Sequence, residues 1–243
     1  MKNKKDLDDF SILTKYFLDN FPLKLLLGTE TPKNKKEKII HEISTRVLDI
    51  YTIFFRLNKY PFYFERLYII NDIDISEAET LEYHIQNYLN DFYSLQVKIE
   101  RLVNFIKNNL REFNISNIKD VEKLIEHIKT NTKNGLSNVV NIRGSHVHNI
   151  SARDLKISEA KLYLTIVQQA DNNKILHLDK NKAKQNYLSS IKEVKEKYIK
   201  QSNKNSNELK RFSKFFVSKV GFLVASLYGH NLESFNKIMK DLD

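Results

Sequence analysis

The chain has no cysteine, and only five glycines and three prolines in 243 residues. Without cysteine there is no disulfide framework, no thiolate nucleophile and no Cys-based zinc site, and an intracellular, cytoplasmic location is the natural expectation. The scarcity of glycine and proline removes the punctuation of an all-β protein. Together with abundant Lys, Glu, Leu, Ile and Asn it predicts an all-α fold, helices joined by polar turns. Gly-rich phosphate loops are lacking too, and Ser145, though it sits beside histidines, has no nucleophile elbow around it. The most apolar stretch, VGFLVASLY at 220 to 228, falls far short of the roughly 20 residues that span a bilayer, and Lys219 interrupts it. The N-terminus, MKNKKDLDDF, has none of the apolar run of a signal peptide, so no membrane partner is expected. A hydrophobic fraction of 41% excludes wholesale disorder.

What is present is helical periodicity. Leu7, Phe10, Leu13, Phe17 and Leu18 predict a short helix over 7 to 18, followed by the break FPLKLLLGTETP. Pro32 is a candidate start for the next helix, whose buried face is Ile39, Ile40, Ile43, Val47, Ile50, Ile53, Phe54 and Leu57. The aromatic run Tyr60, Phe62, Tyr63, Phe64 and Tyr68 around Pro61 reads as packing between helices rather than as a base-stacking platform. Ser76 and Glu79 have capping-box spacing. Behind them Leu81, Ile85, Tyr88, Phe92, Leu95, Ile99, Leu102 and Ile106 alternate steps of four and three, a seam that wants a partner helix.

Residues 118 to 132 supply such a neighbour through Ile118, Val121, Leu124, Ile125 and Ile128, with Asn134 and Gly135 as its C-cap and Ser137 capping the next helix. Ser158 is the expected cap of a helix with Ala160, Tyr163, Ile166, Val167 and Ala170 on its buried face. The segment DNNKILHLDK follows as a loop. Two final helices, one with Tyr187, Leu188, Ile191, Val194 and Tyr198, the other with Leu209, Phe212, Phe216, Val220, Leu223 and Leu227, are separated by QSNKNSN and predict a hairpin over 180 to 230. The organisation expected is an N-terminal helical segment, 1 to 75, packed on an antiparallel helical bundle, 76 to 243.

The net charge of +10 is unevenly placed. Lys and Arg number 13 against 11 acids in residues 1 to 75, 12 against 11 in 76 to 170, and 15 against 8 in 171 to 243. The basic C-terminal hairpin is therefore either a solvated lysine-rich surface or a polyanion-binding face, with Lys192, Lys195, Lys210, Arg211 and Lys214 as nucleic-acid-binding candidates.

One short stretch concentrates chemistry. In NIRGSHVHNIS, residues 141 to 151, an arginine and two histidines fall within six positions. Arginine offers a rigid fork of donors that suits phosphate oxygens, and histidine exchanges a proton near neutral pH. Arg143 with His148 would suit metal-free RNA cleavage, with the substrate 2′-hydroxyl as nucleophile, the histidine moving the proton, and a 2′,3′-cyclic phosphate as product. His146, Ser145, Gly144 and Asn149 are supporting positions. Two other readings stand beside it: His146 and His148 as an HxH metal pair if the segment were extended, and Arg143 as a structural partner of a carboxylate on a neighbouring helix.

An arginine with a histidine five residues later, in an all-α chain whose preceding long helix reads LEYHIQNYLNDFYSLQVKIERLVNFI, resembles the HEPN superfamily of higher-eukaryote and prokaryote nucleotide-binding domains. The resemblance covers residues 76 to 170. It implies a helical bundle that dimerises and, as in many members, a cofactor-free and metal-independent ribonuclease of a toxin, abortive-infection or other defence system, with RNA and an antitoxin or other protein as partners. Other members are inactive binding or accessory domains. By motif position Arg143 would contact the phosphate and His148 would be the acid/base. Gly144 stands where the family often has a polar residue. On a straight helix, at about 100° per residue, Arg143 and His148 point roughly 140° apart, so the motif asks for a bent or ended helix or for a dimer cleft.

Overall fold

The computed structural model describes residues 9 to 66, 76 to 115, 117 to 148, 154 to 172 and 179 to 230, with the backbone alone at 138, 140 to 148 and 170 to 172. Among the described residues the structure is all-α, as expected, with no strand. The elements are α1 (Asp9–Asn20), α2 (Leu23–Leu26), α3 (Lys35–Leu57), α4 (Tyr60–Glu65), α5 (Glu77–Asn108), a 3-10 turn (Leu110–Glu112), α6 (Ile118–His148), α7 (Leu155–Asn172) and α8 (Lys180–Tyr228). They build two compact units: Met1–Phe55, Ser94–Ser137 and Glu208–Asp243 form the first, Arg56–Tyr93 and Asn138–Asn207 the second. Helices α3, α5, α6 and α8 contribute residues to both.

In the first unit Phe10 of α1 lies against Tyr51 and Phe54 of α3, ring centroids 5.1 and 5.2 Å away, and against Phe216 of α8 at 6.0 Å. Such offset aromatic contacts add to the area that the rings bury. Leu18, expected on the buried face, is 48% exposed. The helix α3 begins at Lys35, later than Pro32 suggested, because Asn34 is the cap. The Glu37 N–H donates to Asn34 Oδ1 at 2.9 Å and the Lys33 N–H to Glu37 Oε2 at 2.6 Å, satisfying donors that the first turn leaves orphaned. The eight expected core positions of α3 are all buried.

The predicted capping box of α5 is present. Glu79 N–H donates to Ser76 Oγ at 3.2 Å, and Ser76 N–H to Glu79 Oε2 at 2.8 Å. All eight seam residues from Leu81 to Ile106 are 2% exposed or less. A regular 3-4 spacing over so long a stretch leaves one continuous apolar stripe, which only helix-on-helix packing covers.

Two expected breaks are absent. The chain does not cap at Asn134–Gly135; α6 continues to His148. Burial carries it across, since Thr132 and Leu136 flank the glycine on the inside and Gly135 itself faces Phe212, where a Cβ would stand 3.9 Å from the ring. Ser137, instead of capping a new helix, donates from Oγ back to the Asn134 carbonyl at 3.0 Å.

Likewise the C-terminal hairpin is replaced by one 49-residue helix. The segment QSNKNSN is polar but holds neither glycine nor proline, and its side chains find partners while the backbone stays helical. Ser202 is buried and bonds back to the Ile199 carbonyl at 3.1 Å, Asn205 Nδ2 donates to Tyr88 Oη at 2.8 Å, and Ser206 Oγ donates to Asn58 Oδ1 at 3.0 Å. The helix ends at Gly229, whose φ of +67° suits a residue without Cβ, and the His230 N–H donates to the Ala225 carbonyl at 3.0 Å, one bond of a Schellman cap.

The second unit is centred on aromatic contacts. Tyr60 and Phe64 of α4 meet Tyr88 of α5 edge-on at 5.0 and 5.6 Å, and Phe64 also meets Tyr198 of α8 at 5.6 Å. The aromatic run is thus packing at these two positions, while Phe62 is exposed under Arg66 and Tyr68 lies outside the described residues. Cap and start of α7 differ from expectation: Asp154, not Ser158, receives the Lys156 N–H on Oδ1 at 3.1 Å, and its other oxygen takes Lys197 Nζ at 2.8 Å. Ala78, Ala160 and Ile191 form a small buried cluster with Tyr187 against it. Leu188, expected inside, is 52% exposed.

Candidate functional site

Arg143, Gly144, Ser145, His146 and His148 occupy the last six positions of α6, in the second unit. Asn149 lies outside the described residues. Helical backbone continues through Gly144 without a break, so the roughly 1 kcal/mol that glycine costs there is offset within the helix rather than by ending it. The register has two consequences. At about 100° and 1.5 Å per residue, Arg143 and His148 sit some 140° apart around the axis, whereas Arg143 and His146 differ by about 60°. Positions two apart on a helix differ by about 200°, whereas the HxH metal reading asks for an extended segment, and the backbone at 146 to 148 is helical. Asp154, the next carboxylate along the chain, accepts a hydrogen bond on each oxygen. Among the described residues no group of three His, Asp or Glu side chains is placed to hold a metal.

The basic candidates on α8 divide between the units. Lys192 and Lys195 belong to the second, amid Glu193 and Glu196; Lys192 stands 3.9 Å from Glu196, and Glu193 faces Lys156 at 3.7 Å. Lys210, Arg211 and Lys214 belong to the first, and all three are exposed, with Glu208 4.0 Å from Arg211 and Asp9 bonded to the neighbouring Ser213.

A polar cluster that the sequence reading missed lies in the second unit. The Asp91 carboxylate receives Arg56 Nη2 at 2.6 Å, Arg56 Nε at 3.1 Å and the Tyr60 hydroxyl at 3.0 Å. Its hydrogen bond to Asp91 pushes the Arg56 guanidinium further up, and burial pushes the Tyr60 hydroxyl well above the ordinary phenol range. Nearby, His84 stacks on Tyr63 with centroids 5.7 Å apart, and burial lowers its pKa. Every acceptor of this cluster that the contacts engage is used to hold α3, α4 and α5 residues together, so its chemistry is that of a structural ion pair. The signal for it was available: Asp91 lies three residues after Tyr88, on the seam face of α5, where a carboxylate must find a cation.

Compared with protein-family models, curated proteins and solved structures, the chain has no significant match. No helix among the described residues is long and apolar enough to cross a membrane.

Proposed function

We propose that the chain is an RNA-binding protein that cleaves RNA without metal, in the manner of HEPN-like toxins and defence ribonucleases. The observation that carries this reading is the gathering of Arg143, His146 and His148 into the last six positions of a single helix in an all-α chain of net charge +10. In the reaction the substrate 2′-oxygen forms its bond to phosphorus as the bond to the 5′-oxygen breaks. His148 takes the 2′ proton, Arg143 stabilises charge on the phosphorane, and a protonated imidazole or water returns a proton to the leaving 5′-oxygen. Lys210, Arg211 and Lys214 would hold the RNA backbone by charge. The 140° offset of Arg143 and His148 calls for a homodimer, in which two copies pool these residues in one cleft, and an antitoxin or other protein partner would restrain the activity in a cell.

A second reading is favoured by the unbroken helical backbone through Gly144: a catalytically inactive helical module that binds a partner protein or a nucleotide. Total RNA incubated with the purified protein in EDTA, beside Arg143→Ala and His148→Ala, separates the two. Cleavage that both variants lose, with cyclic phosphate ends, supports the nuclease. No cleavage, or equal cleavage by all three, removes it in favour of the inactive module.

A further inference from the structure

In the first unit a shallow groove of about 230 Å³ opens between α5 and α6, lined by Glu100, Asn104, Lys129, Thr130 and Lys133. Its two walls differ in sign. Lys129 and Lys133 are one helical turn apart on α6 and share a face; Glu100 and Asn104 stand in the same relation on α5. The cationic wall is only partly neutralised. Glu126 lies 3.6 Å from Lys129 but already binds Lys107 at 2.9 Å, so one carboxylate serves two lysines. Lys133 has no ion pair among the described residues. On the other wall Glu100 Oε1 accepts Gln96 Nε2 at 3.0 Å, and its second oxygen is a further acceptor.

An anion fits one side and a group rich in hydroxyl donors the other. A carboxylate beside an amide is suited to sugar hydroxyls, since both accept O–H hydrogen bonds, and paired lysines suit a phosphate. The volume is below the roughly 300–1,000 Å³ of pockets that enclose a whole drug-sized ligand. It matches one repeating unit of a longer molecule, or a small phosphorylated sugar. We propose that this groove takes one ribose-phosphate unit, with the phosphate against Lys129 and Lys133 and the sugar hydroxyls against Glu100 and Asn104. Preference for ribose over other phosphorylated polyols rests on the RNA reading above. Through Glu100 the groove would then distinguish RNA from DNA, because the 2′-hydroxyl is the donor that only RNA supplies.

The test uses the full chain and fluorescently labelled short oligo-rA and oligo-dA, with 5′-AMP as the free ribose-phosphate probe. The parent should prefer oligo-rA. A Lys129→Ala/Lys133→Ala variant should bind oligo-rA about tenfold more weakly, as loss of charge-assisted bonds implies. Its slope of log K against log salt should fall by about 0.7, the contribution of the one phosphate that the two lysines neutralise on a single strand. Glu100→Ala, which leaves no acceptor at that position, should bind oligo-dA no more weakly than the parent does and lose the preference for oligo-rA. These side chains line a surface groove, and circular dichroism checks that the variants remain folded.

If the parent binds oligo-rA and the lysine variant matches it in affinity and slope, the groove assignment is overturned while RNA binding stands. If 5′-AMP shifts the amide resonances of Glu100 and Lys133 but oligo-rA does not bind, the groove stands and the RNA reading falls. Failure of the parent to bind either probe overturns both.

Discussion

Arg56 grips Asp91 with both arms of its guanidinium fork, Nη2 to Oδ1 at 2.6 Å and Nε to Oδ2 at 3.1 Å. The two ends of this pair are not equivalent: about half of the Arg56 side chain is exposed, whereas Asp91 is nearly enclosed. Removing the arginine strands a buried carboxylate, and removing the carboxylate leaves an arginine that water can rehydrate. Arg56→Leu should therefore cost about 2–4 kcal/mol, toward the lower end of the 3–5 range for breaking a buried pair because of its exposure. Asp91→Asn, which can still accept the Tyr60 hydroxyl, should cost less. Urea denaturation of the two variants measures the difference, and equal losses would show that the pair behaves as a surface ion pair.

Two glycines should respond in opposite directions to alanine. Gly135 lies inside α6 with space for a Cβ, 3.9 Å from Phe212, so Gly135→Ala should stabilise the protein by about 0.5–1 kcal/mol through helix propensity. Gly28 has φ +69°, and a Cβ there would meet His41 Cε1 at 2.9 Å. Gly28→Ala should lower the melting temperature on both counts. A destabilised Gly135→Ala would mean that α6 does break near the position where the sequence suggests a cap.

Much of the fold was legible because its signal is periodicity. The seam of α5 and the buried face of α3 follow from spacing alone, and their apolar residues are buried as read. What misled was local punctuation. Asn134–Gly135 and QSNKNSN have the composition of turns, yet the residues around them bury enough surface to hold the helix, and Asn205 and Ser206 bond to Tyr88 of α5 and to Asn58 in the turn after α3. Tertiary contact overrides a weak local preference. The candidate site was legible as residue types, and its placement at the end of one helix fixes only the register, which sets Arg143 and His148 about 140° apart around the axis and gives the HxH pair a helical, not an extended, backbone. The seam position of Asp91 calls for a cation, but the sequence alone does not show which one, since Arg56 lies 35 residues earlier and only the fold brings it beside the carboxylate.

The pH dependence of stability should carry a histidine component. Burial lowers the pKa of both His230 and His84 below the ordinary 6.5. The unfolded chain therefore takes up protons first as pH falls, and protonation favours unfolding. The contribution is absent well above 6.5, begins as pH drops through 6.5, and levels off once the lower folded values are passed. His230 also shares a 2.7 Å hydrogen bond with the Tyr16 hydroxyl. A His230→Gln variant, which keeps a hydrogen-bonding group but does not titrate, should lose less stability between about pH 7 and 5 than the parent does. Identical pH profiles for parent and variant would remove His230 from the account.

The continuity of α8 is open to a direct test at Asn203, an exposed residue in the middle of the segment whose composition suggests a turn. Proline there would lack the N–H that the Ile199 carbonyl accepts in a helix, and its ring would clash with that same carbonyl. In an unbroken helix Asn203→Pro should cost about 3 kcal/mol or more. It should also disturb the Asn205–Tyr88 and Ser206–Asn58 bonds that follow it. In a turn between two helices the same substitution would be neutral or slightly stabilising, because proline restricts the unfolded chain. Comparing it with Asn203→Ala, which either conformation accepts, isolates the backbone effect. A proline variant as stable as the alanine one would restore the hairpin.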